Sequence, residues 1–134
     1  ELAPVSEVLP AIKPLRRPRL WAGLWATAVL LVIVVCLIPP PPIPLPENSD
    51  KGEHFLAYFI LAGSAVQLFR RGRPLLWVGV GLVLMGIGIE FAQGALTSNR
   101  MADPMDAIAN TIGVLAGMTT ALTPLRDLLL RWRG

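Results

Sequence analysis

Charged residues are scarce in this chain. They make up 16% of its 134 residues, whereas they account for about a quarter of a typical soluble protein. Hydrophobic residues account for 54%, a composition that excludes an ordinary soluble domain. The net charge of +3 does not indicate a nucleic-acid-binding protein, because no soluble core is evident that could carry a basic surface.

Cysteine and the common catalytic motifs are also nearly absent. The single cysteine, Cys36, cannot form an internal disulfide, and we interpret it as a small lipid-facing or packed residue. The chain has no Walker lysine, no zinc-ligand cysteine pair and no G-x-S-x-G sequence. Gly79-Val80-Gly81 lacks the remainder of a dinucleotide fingerprint. No standard nucleotide, zinc or serine-hydrolase site is therefore indicated.

The sequence does have long apolar runs, each close to the length that spans a bilayer as a helix. They predict an all-α membrane protein, a bundle of four transmembrane helices at about 20–38, 52–69, 75–96 and 105–122. A signal peptide is the alternative for the first run, since basic residues precede it. We favour a retained anchor, because prolines 39–42 follow it where a cleavage site would be expected.

The basic residues predict the orientation of the bundle. Ten of the twelve lysines and arginines lie before the first helix, between the second and third, or after the fourth. By the positive-inside rule, both termini are cytoplasmic. The chain then divides into a basic, proline-rich tail at 1–19, partly disordered or lying on the headgroups, a membrane domain at 20–122 and a basic tail at 123–134. The proline-rich loop at 39–49 is on the outer side.

Five polar residues lie within or at the outer ends of these helices: His54, Glu90, Gln93, Asp106 and Asn110. A charged side chain in hydrocarbon costs on the order of 3 kcal/mol, so several of them on three helices are expected to act together. Spacings of three or four residues place His54 with Tyr58, Glu90 with Gln93, and Asp106 with Asn110 on common helix faces. The topology predicts one polar layer in the outer leaflet.

Glycines flank this predicted layer. Gly86 and Gly94 lie one turn either side of Glu90 and would let a neighbouring helix approach the carboxylate. Gly113 and Gly117 form a small-residue face on the fourth helix, which would serve either a contact within the bundle or a dimer. The oligomeric state is left open.

Structural alternatives exist for several of these residues. Asp103, which precedes Pro104, resembles a helix N-cap, and Asp50, Lys51 and Glu53 could be solvated loop residues. Arg100 could anchor the loop at the lipid phosphates or form a buried ion pair with Glu90. His54 could be a satisfied histidine of the bundle.

The order of the motifs resembles the VanZ-like family. They read Asp50-Lys51-x-x-His54-x-x-x-Tyr58, then Glu90-x-x-Gln93, then Arg100-x-x-Asp103-x-x-Asp106-x-x-x-Asn110-Thr111-x-Gly113. The resemblance covers residues 20–122, although the stretch 94–99 lacks the aromatic residue usual in the family. It implies a small multi-pass protein of the bacterial cytoplasmic membrane, in a family whose founding member confers low-level teicoplanin resistance.

The residue chemistry suggests roles for this set. His54, Glu90 and Asp106 are the catalytic candidates: His54 as a general acid or base, Glu90 as a proton shuttle, and Asp106, together with Asp50, to orient His54 or to hold a divalent cation. Arg100 would clamp a phosphate. The remaining candidates for substrate binding are Asp50, Lys51, Tyr58, Gln93 and Asn110. No cofactor is indicated, but carboxylates with one histidine can accommodate a divalent metal.

Three functions are compatible with this site. The first is phosphoester transfer or exchange on a membrane lipid headgroup or a lipid-linked cell-envelope precursor. The second is a non-catalytic module that binds headgroups or a lipophilic glycopeptide antibiotic. The third is a polar-lipid transporter, which is disfavoured because the cytoplasmic halves of the four helices lack deep polar residues.

Overall fold

The structure, a computed structural model, describes residues 11–37, 49–96 and 104–132, with only the backbone for 49–51 and 96. The described chain is helical, which confirms the predicted all-α class. The long helices lie close to the four predicted apolar runs, the fourth of which ends in a 3-10 turn. The described part of the predicted C-terminal tail contains a second 3-10 turn and a short helix. The elements are α1 (Pro18–Leu37), α2 (Ser49–Leu68), α3 (Arg73–Leu96), α4 (Pro104–Met118), 3-10 turns at Thr119–Leu122 and Pro124–Asp127, and α5 (Leu128–Trp132).

Proline and glycine set several helix boundaries. Pro18 and Pro104 are the first residues of α1 and α4, and Pro74 is the second residue of α3. Proline suits the first turn of a helix because the missing N–H has no intrahelical partner there. Between α2 and α3 the chain turns at Gly72, whose φ of +104° is readily adopted only by glycine.

Three helices of the described chain are long and apolar enough to cross a membrane: α1, α3, and α4 extended by the turn to Leu122. They indicate a membrane protein. The α2 helix is not among them, and its first turns carry Asp50, Lys51, Glu53 and His54.

The distribution of side chains is the reverse of that in a soluble domain. Large apolar side chains point outward on every long helix; Leu84 and Phe91, for example, are 62% and 72% exposed. Among the described residues, six polar or charged ones are buried beside the apolar core: Lys13, His54, Glu90, Gln93, Asp106 and Asn110. Such a surface favours contact with lipid tails over water.

The least apolar long helix, α2, lies at the centre of the bundle. Its inner face forms much of the core through Tyr58, Leu61, Ala62 and Ala65, each at most 2% exposed. The indole of Trp25 on α1 donates a hydrogen bond of 3.0 Å to the carbonyl of Leu61. The α2 helix contacts each of the other three long helices, and the polar side chain of His54 lies within protein instead of facing lipid.

The closest packing joins α2 to α4 at two glycines. A Cβ placed on Gly113 would lie 2.5 Å from the carbonyl oxygen of Phe55, and one on Gly117 would lie 2.7 Å from both the Phe59 carbonyl oxygen and the Ala62 Cβ. These distances are well inside van der Waals contact. The small face of α4 therefore serves a contact within the bundle.

Residues 11–17, which we call the N-terminal segment, pack against the end of the bundle where α2 ends and α3 begins. Ile12 and Leu15 are buried, and the backbone pairs with the end of α2 through Lys13 N–H to the Leu68 carbonyl, 2.8 Å, and Arg70 N–H to the Ala11 carbonyl, 2.8 Å. Prolines prevent a helix here, which leaves extended backbone groups able to bond to α2.

Lys13 connects this segment to the C-terminal part of the chain. Its buried ammonium donates to the Val66 carbonyl at 2.7 Å and to the Arg126 carbonyl at 2.5 Å, and it forms an ion pair with the Asp127 carboxylate at 2.9 Å. Three donors thus meet three acceptors, which satisfies the buried charge. Gln67 of α2 also holds this region, since its side chain bonds to the Leu125 carbonyl and to the Leu129 N–H.

The Lys13–Asp127 pair predicts a pH dependence of stability. The hydrogen bond from Lys13 lowers the pKa of Asp127 below its usual value of 3.8. A carboxyl group whose pKa is lowered in the folded state stabilises the fold at pH values above its unfolded-state pKa. This contribution is lost as the pH falls through the folded-state pKa. Because the Asp127 side chain is 39% exposed, we expect Asp127→Asn to lower the free energy of unfolding by less than about 1 kcal/mol at pH 7.

Melting temperatures of the wild type and Asp127→Asn, measured from pH 7 to pH 2, test this prediction. The difference between the two proteins should shrink as pH falls below about 4, where the wild-type carboxyl takes up its proton. A difference that stays constant across this range would contradict the role of the ionised carboxylate.

Candidate functional site

The predicted polar residues lie at one end of the bundle, where α2 and α4 begin and α1 and α3 end. We call this the polar end. Helical periodicity turns each of them inward, and they are buried by the neighbouring helices. Their exposed fractions are 8% for His54, 5% for Glu90, 2% for Gln93, 7% for Asp106 and 2% for Asn110. Burial of this kind strengthens electrostatic interactions, because little water is present to screen them.

His54 and Asn110 are in direct contact. The Nδ1 atom of His54 lies 3.0 Å from the Oδ1 atom of Asn110. With the amide in this orientation, Nδ1 carries a hydrogen and donates a hydrogen bond to the amide oxygen. In the neutral ring, Nε2 is then the basic nitrogen and can accept a proton from a ligand. The contact joins α2 to α4 and fixes the direction of the imidazole.

The sequence predicted different roles for the residues that face His54. Asp106 was expected to orient His54 or to hold a cation, and Asn110 to bind the headgroup. In the structure Asn110, one turn further along the same face of α4, contacts the ring. The close approach of α3 at Gly86 supports this position, since a Cβ at Gly86 would lie 3.1 Å from the Asn110 Cβ. The predicted role of Gly86, to admit a neighbouring helix, agrees with this packing.

Gln93 links α3 to the end of α1. Its Nε2 donates a hydrogen bond of 2.6 Å to the carbonyl oxygen of Cys36. That carbonyl belongs to the last turn of α1, where no intrahelical donor is available. Gln93 thus has a bonding role between helices in addition to its predicted role with substrate.

Glu90 and Asp106 supply two buried carboxyl groups to the same end. Glu90 is one turn from Gly86 on α3, and Asp106 is one turn from Asn110 on α4. The side chain of Tyr58 is within electrostatic range of Glu90 and of Cys36. Proton donors and acceptors on all four long helices therefore face a common region.

Tyr58 is fully buried at this end, yet its hydroxyl makes no hydrogen bond to any residue that the structure describes. A buried hydroxyl without a partner is unfavourable by roughly 1–3 kcal/mol. A ligand oxygen or a water molecule would relieve this penalty. Tyr58 is therefore a candidate hydrogen-bond donor to a bound molecule.

A groove of about 270 Å³ runs between α1 and α2 and reaches the polar residues. Its floor is mainly apolar, whereas His54, Tyr58 and Glu53 lie at one part of it. The groove thus joins a lipid-like surface to an imidazole and a phenol. The residues that line it are Leu31, Val32, Val35, Cys36, Glu53, His54, Ala57 and Tyr58.

Several predicted residues lie outside this description. Arg100, Asp103 and the proline-rich loop are not among the described residues, and for Asp50 and Lys51 only the backbone, in the first turn of α2, is described. Among the described residues, no group of three or more His, Cys, Asp or Glu side chains is arranged to hold a metal ion.

Cys36 is the residue of this region that sequence reasoning missed. It lines the groove, and its carbonyl accepts the hydrogen bond from Gln93. The sequence contains no signal for either property, because a carbonyl contact does not depend on residue type. The exposed Glu53, interpreted above as part of a solvated loop, lies within α2 and also lines the groove.

Tyr58→Phe separates ligand binding from stability. The substitution keeps the ring and removes only the hydroxyl, so we expect the free energy of unfolding to stay the same or to rise by up to about 1 kcal/mol. Binding of a ligand that accepts from Tyr58 should weaken about tenfold, as expected for one lost hydrogen bond. Melting curves and ligand titrations of both proteins measure the two effects. A substantial loss of stability would show that the hydroxyl has a structural partner.

Comparison with known proteins finds no match for this chain among models of protein families, and no significant match among curated proteins or solved structures.

Proposed function

We propose that this protein is a VanZ-like integral membrane protein of the bacterial cytoplasmic membrane that acts on a lipid headgroup or a lipid-linked envelope precursor. The reaction is transfer or exchange of a phosphoester. The observation that carries the proposal is the oriented His54–Asn110 pair, buried at the same end of an apolar bundle as two carboxyl groups. An effect on teicoplanin susceptibility would follow from altered envelope lipids.

The groove supports a lipid as the substrate. An acyl chain lying between α1 and α2 would contact Leu31 and Val35, and its headgroup would then reach His54 and Tyr58. Apolar contact of this kind contributes about 0.8 kcal/mol for each buried CH₂ group. A small soluble substrate would leave the apolar part of the groove unused.

The proposed chemistry uses the imidazole as a base. Nε2 of His54 accepts the proton of an incoming alcohol, whose oxygen bonds to phosphorus. The bond from phosphorus to the departing alcohol breaks, and the protonated imidazole returns its proton to that oxygen, either directly or by passing it through the Glu90 carboxyl group. Tyr58 donates to a phosphate oxygen, and Arg100 balances the charge that develops on the phosphate.

We also propose that α2 crosses the membrane in addition to α1, α3 and α4, which gives four spans, and that both termini are cytoplasmic. The distribution of arginines supports this orientation and puts the polar end in the outer leaflet. A cysteine substituted at Asn99, in a Cys36→Ala background, should react with an impermeant thiol reagent in intact cells. Labelling only after lysis would reverse the orientation.

The function is tested with the purified chain in bilayers of native bacterial lipids. Mass spectrometry follows phospholipids and undecaprenyl-linked precursors over time, for the wild type and for His54→Ala and Glu90→Gln. New or exchanged headgroups that form with the wild type and disappear in both variants support the proposal. Lipid chemistry that stays unchanged while lipids still bind would overturn the enzymatic function in favour of a binding module.

A further inference from the structure

A second cavity lies at the end of the bundle opposite the polar end, which we call the arginine end. It has a volume of about 380 Å³ and is bounded by the N-terminal segment, the α2–α3 turn and the 3-10 turn at Pro124–Asp127. None of the candidate site residues lines it. The residues that matter for its chemistry are Lys13, Phe69, Arg70, Arg71, Leu75 and Arg126.

Positive charge dominates this cavity. Four cationic side chains line it, and Asp127 is the one carboxylate among the lining residues. That carboxylate already pairs with Lys13 at 2.9 Å and, less closely, with the Arg126 Nε at 3.6 Å. Within the described chain, the guanidinium groups of Arg70 and Arg71 have no acidic partner. Several positive charges around one cavity attract an anion.

The backbone holds these arginines in place. The N–H of Arg70 bonds to the Ala11 carbonyl at 2.8 Å, and the turn that follows depends on the positive φ of Gly72. Lys13 fixes the opposite wall through its three bonds. Specific hydrogen bonds therefore hold the walls of the cavity, which come from segments far apart in the sequence.

We propose that this cavity binds the phosphate of an anionic phospholipid headgroup. It lies at the ends of helices whose outer surfaces are apolar, the depth at which lipid phosphates occur. Arginine pairs well with phosphate because its planar group donates two parallel hydrogen bonds. The apolar side chains of Phe69 and Leu75 line the same cavity and can contact the glycerol and the first carbons of the chains. Basic pockets between membrane helices recognise anionic lipids in this way.

This site is independent of the proposed reaction. It lies at the other end of the bundle, and it requires only that the helices are embedded in lipid. Its occupant would join the N-terminal segment, the α2–α3 turn and the C-terminal segment, so binding should stabilise the whole chain.

The test compares two double variants that remove the same charge. Arg70→Gln/Arg71→Gln changes the cavity, whereas Arg19→Gln/Arg73→Gln changes two exposed arginines that do not line it. Each protein in neutral detergent is titrated with dioctanoyl phosphatidylglycerol, dioctanoyl phosphatidylcholine or inorganic phosphate, and binding is followed by native mass spectrometry and by melting temperature. Melting without added lipid shows whether each variant is folded.

We expect the anionic lipid to bind the wild type and the control variant alike, and the cavity variant at least tenfold more weakly. His54→Ala should bind it as the wild type does. Equal affinity of the cavity variant, equal binding of phosphatidylcholine, or displacement of the lipid by inorganic phosphate at similar concentration would overturn the inference. Loss of binding in His54→Ala alone would assign the lipid to the polar end instead, which would support the proposed function.

Discussion

Replacing Gly117 with alanine is expected to lower the free energy of unfolding by at least about 2 kcal/mol, because α4 must move away from α2. The added methyl group would lie 2.7 Å from the Phe59 carbonyl oxygen, 2.7 Å from the Ala62 Cβ and 2.8 Å from the Gly63 nitrogen. Two of these neighbours are backbone atoms, which cannot rotate aside. Close approach at small residues is a main source of helix association in lipid, so its loss affects the whole bundle.

The chain offers a matched control on α3. A Cβ on Gly81 would meet no atom within 4 Å, so Gly81→Ala should be neutral or stabilise the helix by up to about 1 kcal/mol through its better helix propensity. Unfolding of both variants in mixed micelles, followed by circular dichroism, measures the difference. Equal stability of Gly117→Ala and Gly81→Ala would show that α2 and α4 do not pack as described.

If the proposed headgroup exchange takes place, replacing His54 with alanine is expected to reduce its rate by about 10²- to 10⁴-fold, the usual contribution of a general acid or base. The reason is the loss of Nε2, the basic nitrogen left available when Nδ1 donates to Asn110. Asn110→Ala should have a smaller effect, about tenfold, because the ring keeps Nε2 and loses only the hydrogen bond that orients it. Initial rates of headgroup exchange, measured by mass spectrometry with saturating lipid, give these ratios.

Leu56→Ala is the control for the histidine variant. Leu56 is on the same helix and is 55% exposed on the outer surface, so its truncation should leave the rate within about twofold. A comparable rate for His54→Ala and Leu56→Ala would show that the imidazole takes no part in the reaction. Melting curves of all variants show whether a lower rate reflects unfolding.

The helices were predictable because their signals are local. Apolar runs of spanning length, prolines at helix starts and glycine in the α2–α3 turn each act on the neighbouring residues. Spacings of three and four residues also predicted which polar residues share a face. The inward direction of His54 and Tyr58, and of Asp106 and Asn110, follows from this periodicity together with the cost of exposing polar groups to lipid.

Contacts between helices could not be predicted in the same way. The sequence pairs Asp106 and Asn110 on one face of α4, but the translation of α4 against α2 decides which of them meets His54. That translation depends on Gly113 and Gly117, whose backbones lie against Phe55 and Phe59. A face is a property of one helix, whereas the choice between two neighbours on that face is a property of the packed pair.

The sequence by itself determined a helical membrane protein with polar residues gathered toward one end, because hydrophobicity and helical periodicity are properties of single segments. Only the tertiary structure decided that the least apolar long helix is the central one, and that Asn110 contacts His54. It also decided that Lys13 of a proline-rich segment bonds to Val66, Arg126 and Asp127. These outcomes depend on contacts between residues that are far apart in the sequence; Lys13 and Asp127, for example, are separated by 114 positions. Such contacts form only when the helices pack.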